Sequence, residues 1–322
     1  MSMFKKKINP LDVLTQIFDQ ADTINKQDVE KNIQLLRTYL ATVVPSQELT
    51  DFIIKFFQMN FPLIFIKLLP QISFESRKDL CAVFGYFIHR TGSGDISKDN
   101  DKLPLTEYVT KTHPEVVKYL LDGLQGETAL SYGQLLQSFA KITEIADFML
   151  KLLHTEHFER LFTAMNSKEF EVSSEACVLF KELLTKHQEL VSKFMNTNPD
   201  FLQMFLTLLS SPNYATRRFS LHQLGDLLLS KQNFETMHRF VKSDINLKLI
   251  MQLLKDQSQA IRLEAFHVFK IFVACPDKPE ATKKILLKNK DKLIEFLEAF
   301  QVEGGQQAED EKQFVIDELK RL

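Results

Sequence analysis

The sequence predicts an all-α fold built from stacked helical repeats, and three observations indicate it. Only 9 glycines and 10 prolines interrupt 322 residues, whereas a β fold with many turns needs more of these breakers. Apolar residues recur at helical spacing along most of the chain, for example at Ala176, Leu179, Phe180, Leu183 and Leu184. Segments about 45 residues apart resemble one another, and this spacing is typical of an armadillo/HEAT-like solenoid.

Local signals predict where several helices begin. Asn9 precedes Pro10, which is the usual order of an N-cap residue and the first helical residue. The same signal occurs at residues 113–115 and 198–200. Residues 76–79, Ser-Arg-Lys-Asp, resemble a capping box with Asp in the place of Glu and predict a helix start there.

The clearest repeat relates residues 208–228 to residues 253–273. A shift of 45 residues superimposes Arg217 on Arg262 and matches apolar positions with apolar positions. A small residue recurs at one position of successive repeats, where we expect two helices to pack closely (Ala176, Ser220 and Ala265).

We expect one helical-repeat domain over residues 1–322, with repeats at about 10–301 and a tail at 302–322. Residues 91–102 are small and polar, and we interpret them as a surface connection within the array. Residues 310–322 predict a short terminal helix that caps the last repeat with one apolar face (Val315, Leu319 and Leu322).

Composition excludes several classes of protein. The net charge of −2 gives no global attraction to nucleic acid or to an anionic membrane. Three scattered cysteines without a Cys-x-x-Cys pair suit a reducing compartment, so we expect a cytoplasmic protein. The sequence contains no run of 18 apolar residues, so it predicts no membrane span.

Motifs for chemistry are weak. Residues 92–94 lack the third glycine of a phosphate-binding loop. Residues 95–101 have acidic groups at calcium-loop spacing, but Asn100 stands where glycine is needed and Thr106 cannot provide a bidentate carboxylate.

His154 and His157 share a helical face, but no third zinc ligand follows at a useful spacing. We therefore interpret them as partly exposed surface histidines. The cysteines fall on repeat positions and are interpreted as small core residues. We expect no catalytic residue, no metal ion and no cofactor.

Positive charge is concentrated near the end of the chain. Residues 214–292 contain 15 Lys and Arg against 8 Asp and Glu, a net charge of +7. This region could be a solvated face, a groove for an acidic peptide or a carboxylate terminus, or an RNA-binding surface. Stacking aromatic residues between the basic ones are not evident, which disfavours RNA.

Six runs in the carboxyl-terminal half of the chain are distinctive: YATRR (214–218), LGDLLL (224–229), NLKLIM (246–251), EAFHVFK (264–270), ILLKN (285–289) and KLIEFL (292–297). Together they resemble the calcium-binding protein 39 family, the "mouse protein twenty-five" scaffolds that fungi call Hym. The resemblance is strong over residues 170–301 and continues, more weakly, back to about residue 10.

This resemblance implies a horseshoe-shaped kinase scaffold without enzyme activity. Members of the family bind a pseudokinase of the sterile-twenty-related group on their concave face and hold its Trp-Glu-Phe tail in a pocket near their own carboxyl terminus. With that pseudokinase they activate a liver-kinase-B-type kinase. They also stimulate sterile-twenty kinases, and fungal members serve a polarity network.

The resemblance also implies a set of partner-binding residues. Met251 matches an apolar pocket methionine, and Lys248 and Lys288 match pocket lysines. Tyr214 and Arg218 match contacts on the concave face. A methionine adapts its shape to an aromatic ligand, and lysines neutralise the tail's Glu and terminal carboxylate.

The chain departs from the family at Lys231, where animal members carry arginine. Lysine lacks the planar pair of donors that arginine has, so this contact is weakened. Phe219 also replaces a polar residue. Two other interpretations stay open: a generic armadillo-like adaptor with other partners, and an enzyme or RNA binder that uses the basic region.

Overall fold

A computed structural model describes residues 9–21, 26–92, 104–301 and 305–322. These residues form α-helices joined by short turns, and no strand occurs among them. The helices are α1 (Pro10–Ala21), α2 (Lys26–Thr42), α3 (Gln47–Gln58), α4 (Phe61–Leu68), α5 (Phe74–Gly92), α6 (Pro104–Glu107), α7 (Glu115–Asp122), α8 (Ala129–Phe139), α9 (Thr143–Leu152), α10 (Phe158–Met165), α11 (Phe170–Thr185), α12 (Gln188–Thr197), α13 (Pro199–Leu206), α14 (Tyr214–Leu229), α15 (Phe234–Val241), α16 (Asp244–Leu253), α17 (Gln259–Ala274), α18 (Glu280–Ala299) and α19 (Gly305–Arg321). The all-α prediction is confirmed.

The predicted helix starts at Pro10 and Pro199 are confirmed. The Asn9 side chain accepts a hydrogen bond from the Leu11 amide at 3.1 Å, as an N-cap residue does. Asn198 behaves differently, because its side-chain amide donates to the Phe194 carbonyl at 2.9 Å and does not cap α13.

The predicted capping box at residues 76–79 is wrong. Helix α5 begins earlier, at Phe74, so Ser76 lies inside its first turn and is buried. The amide of Ser73 at this helix start donates to the Glu30 carboxylate of α2 at 2.6 Å. A side chain from another repeat therefore accepts the hydrogen bond of the Ser73 amide at this helix start. Asp79 does not cap the helix and pairs instead with Arg37 at 2.7 Å.

The chain forms two compact units. In the first, Met1–Lys186, the long helices pack in series: α2 on α5, α5 on α8, and α8 on α11. The ring of Phe56 is fully buried and lies 4.5 Å from the Phe87 ring, within a cluster of aromatic rings. Most of the abundant phenylalanine is thus core, as its lack of a polar group predicts.

In the second unit, His187–Leu322, α14 packs on α17 and α17 packs on α19. The predicted equivalence of the small residues is consistent with this stacking, because Ser220 of α14 and Ala265 of α17 are both fully buried. Helices α15 and α16 link the two long helices, and α18 packs against both α16 and α19. The repeat prediction is confirmed, whereas the single domain and the horseshoe curvature stay predictions.

The terminal helix is longer than predicted. Helix α19 begins at Gly305, whose φ of +70° suits glycine, and not at residue 310. Val315 and Leu319 are fully buried, as the predicted apolar face requires. The Lys312 ammonium group donates to the Phe300 carbonyl at 3.0 Å and ties this helix to the end of α18.

Within the described ranges, no single helix is long and apolar enough to cross a membrane. The segments Gln47–Gln58 and Phe61–Gln71 pass that test only as a pair, bent by 66°.

Candidate protein-binding surface

Tyr214 and Arg218 lie one turn apart at the start of α14. The helix is capped by Asn213, whose side chain accepts from the amide of Ala215 at 2.9 Å. The Tyr214 side chain is 44% exposed and its hydroxyl accepts a hydrogen bond from Ser258 at 3.5 Å. Arg218 is also exposed. The two predicted contact residues therefore share an accessible helix end.

Tyr214 lines a groove of about 890 Å³. Leu249 and Leu253 of α16 contribute its apolar side, and Arg217 and Lys255 contribute positive charge. Asp256 in the same groove lies 3.9 Å from the Arg217 guanidinium, so part of that charge is already neutralised. The groove is suited to a segment of mixed polarity.

Lys248 and Met251 lie on α16, whose buried face is formed by Leu247 and Ile250. Lys248 is 61% exposed and its ammonium group lies 2.6 Å from the Asp244 carboxylate. The hydrogen bond from Lys248 lowers the pKa of Asp244, which favours the ionised carboxylate. The Met251 side chain is half-buried, which leaves part of it free to contact a ligand.

Lys288 is exposed on α18, which packs against α16. Leu254, just past the end of α16, lines a second groove of about 460 Å³ together with Phe296 near the end of α18. The carboxyl ends of the two helices therefore converge. At 1.5 Å per residue, Met251 lies about 5 Å back from Leu254 along its helix, and Lys288 about 12 Å back from Phe296.

Lys231 lies in the 3-10 turn Lys231–Asn233 that joins α14 to α15. It is exposed and lines neither groove. Phe234, three residues later, is 58% exposed, and its ring stacks on His238 with ring centroids 5.9 Å apart. Leu229, before the turn, is 63% exposed.

The exposed apolar residues were missed by the sequence analysis. Phe234 and Leu229 are core residues by type, and only the folded structure shows that their side chains are exposed. Phe170 is the same case in the first unit, where it begins α11 and is 82% exposed. Exposed aromatic rings of this kind mark interaction surfaces more often than isolated aliphatic residues do.

Cys275 is buried, as the predicted core role requires, whereas Cys81 and Cys177 are only half-buried. Burial raises the pKa of Cys81 and of Cys177 to about 12, so both are thiols and poor nucleophiles at neutral pH. No disulfide joins the three cysteines.

The histidine prediction is wrong for His157, which is 6% exposed. A π-helical turn at Leu153–His157 inserts an extra residue and rotates the following side chains relative to the α-helical pattern. The described residues include no cluster of His, Cys, Asp or Glu that could hold a metal ion. The calcium-like spacing at residues 95–101 lies outside the described residues.

A family model described as Mo25-like matches residues 2–322. The chain belongs to the Mo25-like family. The resemblance to calcium-binding protein 39 is thereby confirmed.

Relatives of the Mo25-like family match nearly the whole chain. The Mo25-like protein of Schizosaccharomyces pombe is 34% identical over 304 residues, which cover 92% of this chain and 89% of that protein. The calcium-binding protein 39-like protein of Homo sapiens is 33% identical over 340 residues, which cover 100% and 98%. Among solved structures, a designed armadillo repeat protein is 13% identical, with a TM-score of 0.43 over 82% of this chain and 100% of that chain.

Proposed function

We infer that the chain is a scaffold that binds a pseudokinase or a kinase of the sterile-twenty-related group. In this proposal the partner's carboxyl-terminal Trp-Glu-Phe tail lies at the α16–α18 site, and its kinase-like domain contacts the surface around Tyr214 and Arg218. The chain belongs to the Mo25-like family, and one observation on its own structure supports the proposal. Lys248, Met251 and Lys288 lie on two packed helices, and both lysine side chains are exposed.

The chemistry of this site suits that tail. An aromatic side chain of the tail can cover the half-buried Met251, whose flexible thioether adapts to the ring. The carboxylates of the tail can pair with Lys248 and Lys288, which form charge-assisted hydrogen bonds with such groups. Lys248 already holds Asp244, so a ligand must share or displace that partner.

Stimulation of a kinase then follows without any catalytic residue in the scaffold. At saturation, a scaffold that binds the active conformation of a kinase more tightly than the inactive one multiplies the ratio of active to inactive kinase by the ratio of the two affinities. No enzyme activity is proposed for this chain.

Kinase stimulation tests this proposal directly. The activity of a purified sterile-twenty-type kinase from the same organism is measured with and without the chain, and with the double variant Tyr214→Ala/Arg218→Ala. We expect saturable stimulation that the double variant weakens at least tenfold. Lys193→Ala, an exposed lysine on α12, is the matched control and should stimulate like the wild type.

A generic adaptor function is the second candidate. The groove beside Tyr214 favours this second function. Apolar and cationic groups line the groove, but Met251 and Lys288 are not among them. Such a groove accepts extended segments of many sequences. The adaptor function would be favoured if the chain stimulated no sterile-twenty-type kinase and bound other proteins through this groove.

A further inference from the structure

Two grooves of the second unit are equivalent sites in successive repeats. The groove of about 890 Å³ is here named the Tyr214 groove, and the groove of about 460 Å³ the Phe296 groove. On one wall, equivalent lining residues are 45 residues apart: Leu209 and Leu254, Tyr214 and Gln259, and Arg217 and Arg262. On the other wall they are 47 residues apart: Leu249 and Phe296, Gln252 and Ala299, and Leu253 and Phe300. The second half of α18 thus takes the place in one groove that α16 takes in the other.

The two grooves are continuous, because Lys255 and Asp256 line both of them. These two residues lie in the turn between α16 and α17. Helix α14, which begins beside the Tyr214 groove, packs on α17, which begins beside the Phe296 groove. The axes of packed helices are about 8–10 Å apart, so a ligand that leaves one groove reaches the other after about that distance.

The shared turn carries a positive charge that the chain leaves available. Lys255 is exposed and forms no ion pair with a residue that the structure describes. Asp256 is the one acidic residue within residues 251–259, and its carboxylate lies 3.9 Å from the Arg217 guanidinium. Arg262, on the other side of the turn, donates to backbone carbonyls and leaves Lys255 without an acidic partner. Charge complementarity therefore favours an acidic ligand group between the two grooves.

Each groove also offers apolar surface. Leu253 and Phe300 are buried at equivalent positions, and Leu249 and Phe296 are half-buried beside them. A ligand with one apolar side chain for each groove would cover this surface and gain from its burial.

We propose that the two grooves together bind one extended segment of a partner protein, with an apolar side chain in each groove and an acidic side chain at Lys255. In the polyproline II conformation, side chains three residues apart lie on the same face and about 9 Å apart, which matches the spacing of the packed helices. The expected motif is therefore apolar-Pro-acidic-apolar. This site goes beyond the proposed tail-binding function and does not rest on it, since Met251 and Lys288 line neither groove.

The test uses a fluorescein-labelled peptide, Ser-Phe-Pro-Asp-Phe-Ser, and two peptides in which one or the other Phe is replaced by Gly. Anisotropy titrations measure their affinities for the wild type, Gln252→Trp, Ala299→Trp and Lys255→Glu. Gln252 and Ala299 are exposed and equivalent, so each Trp fills one groove without disturbing a buried residue. Gln134→Trp and Lys193→Glu, at exposed positions of α8 and α12, are the matched controls. Melting temperatures establish that all variants fold.

We expect one peptide to bind per chain. Removal of either Phe should weaken binding about tenfold, as the loss of a buried aromatic side chain predicts. Each Trp variant should bind the full peptide about tenfold more weakly and should make one Phe dispensable, a different Phe for each variant. Lys255→Glu should weaken binding about three- to tenfold at low salt, because exposed ion pairs are individually weak. Both controls should bind like the wild type.

Three results would overturn the proposal: no binding of the full peptide to the wild type, two peptides bound per chain, or the same Phe made dispensable by both Trp variants. Equal losses in the site variants and their controls would also overturn it. Kinase stimulation is measured separately, so failure of these peptides to bind would leave the proposed function standing.

Discussion

Arg217 and Arg262, 45 residues apart, make the same hydrogen bonds in successive repeats. The Arg217 guanidinium donates to the carbonyls of Ser211 and Pro212 at 2.9 and 3.3 Å. That of Arg262 donates to the carbonyls of Asp256 and Gln257 at 2.9 and 3.1 Å. Each arginine is the fourth residue of a long helix and ties that helix to the turn before it. The repeat thus conserves a backbone clamp as well as a pattern of apolar residues.

Replacing either clamp should lower stability. We expect Arg262→Ala to cost about 1–2 kcal/mol in the free energy of unfolding, because the half-buried Asp256 carbonyl loses a charged donor, whereas the exposed Gln257 carbonyl can bond to water instead. Arg262→Lys should recover only part of this loss, since lysine lacks the planar fork. Urea unfolding followed by circular dichroism measures both. Exposed Arg218→Ala is the control, and an equal loss there would contradict the clamp.

Gly133 of α8 makes room for Glu175 of α11. A methyl group at position 133 would lie 2.8 Å from the Glu175 Cβ, which no folded protein tolerates without movement. We expect Gly133→Ala to destabilise the fold by about 1–3 kcal/mol. Gly85→Ala on α5 is the matched control, because its methyl would meet no atom within 4 Å.

At position 85 the better helix propensity of alanine should leave stability unchanged or raise it by up to about 1 kcal/mol. Thermal unfolding of the two variants separates crowding from propensity. A similar melting temperature for both would contradict the close contact of α8 and α11.

Two buried polar side chains should make α14 less stable than it could be. Ser220 Oγ and both polar atoms of the Gln223 amide are buried without a hydrogen-bond partner among the described residues. The next repeat has Ala265 and Val268 at the equivalent positions, and both are fully buried. We expect Ser220→Ala/Gln223→Val to stabilise the protein by about 1–3 kcal/mol. A lower urea midpoint for this double variant would show that the polar groups are satisfied.

The pH dependence of stability should report on Glu175. Burial raises the pKa of this carboxyl, and a hydrogen bond from Gln137 at 2.7 Å partly opposes the shift. A raised pKa means that the folded state favours the protonated acid. The contribution of Glu175 to stability is therefore full below its unfolded pKa and is lost as the pH rises through the folded pKa.

Glu175→Gln should accordingly gain stability over the wild type at pH 7 and lose that gain toward pH 4. The side chain is only partly buried, so the gain should stay below about 1 kcal/mol. Urea midpoints of both proteins across this pH range measure it. A gain that is largest at acidic pH would contradict the raised pKa.

Local signals predicted much of the fold, because the groups that satisfy them are close in sequence. Asn9 caps its own helix, and the 45-residue spacing places equivalent residues on stacked helices. The start of α5 could not be predicted, since Glu30 from another repeat supplies the acceptor. His157 was misplaced because a π-helical turn breaks the α-helical period.

The candidate site was less predictable. The resemblance identified Met251 and Lys288, but not that α16 and α18 converge at Leu254 and Phe296. That convergence depends on how whole helices pack. The exposure of Phe234 likewise depends on neighbouring helices and has no local signal.

Binding of the Trp-Glu-Phe tail tests the central claim most directly. The chain contains no tryptophan, so the peptide supplies the only indole emission. The protein is titrated into the peptide, and the emission is compared for the wild type, Met251→Ala and Lys248→Ala. Half-buried Met204 and exposed Lys193 provide matched alanine controls. We predict a saturable blue shift that both site variants weaken severalfold and both controls leave unchanged. No shift at high protein concentration, or an equal loss in the controls, would contradict a tail-binding site formed by α16 and α18.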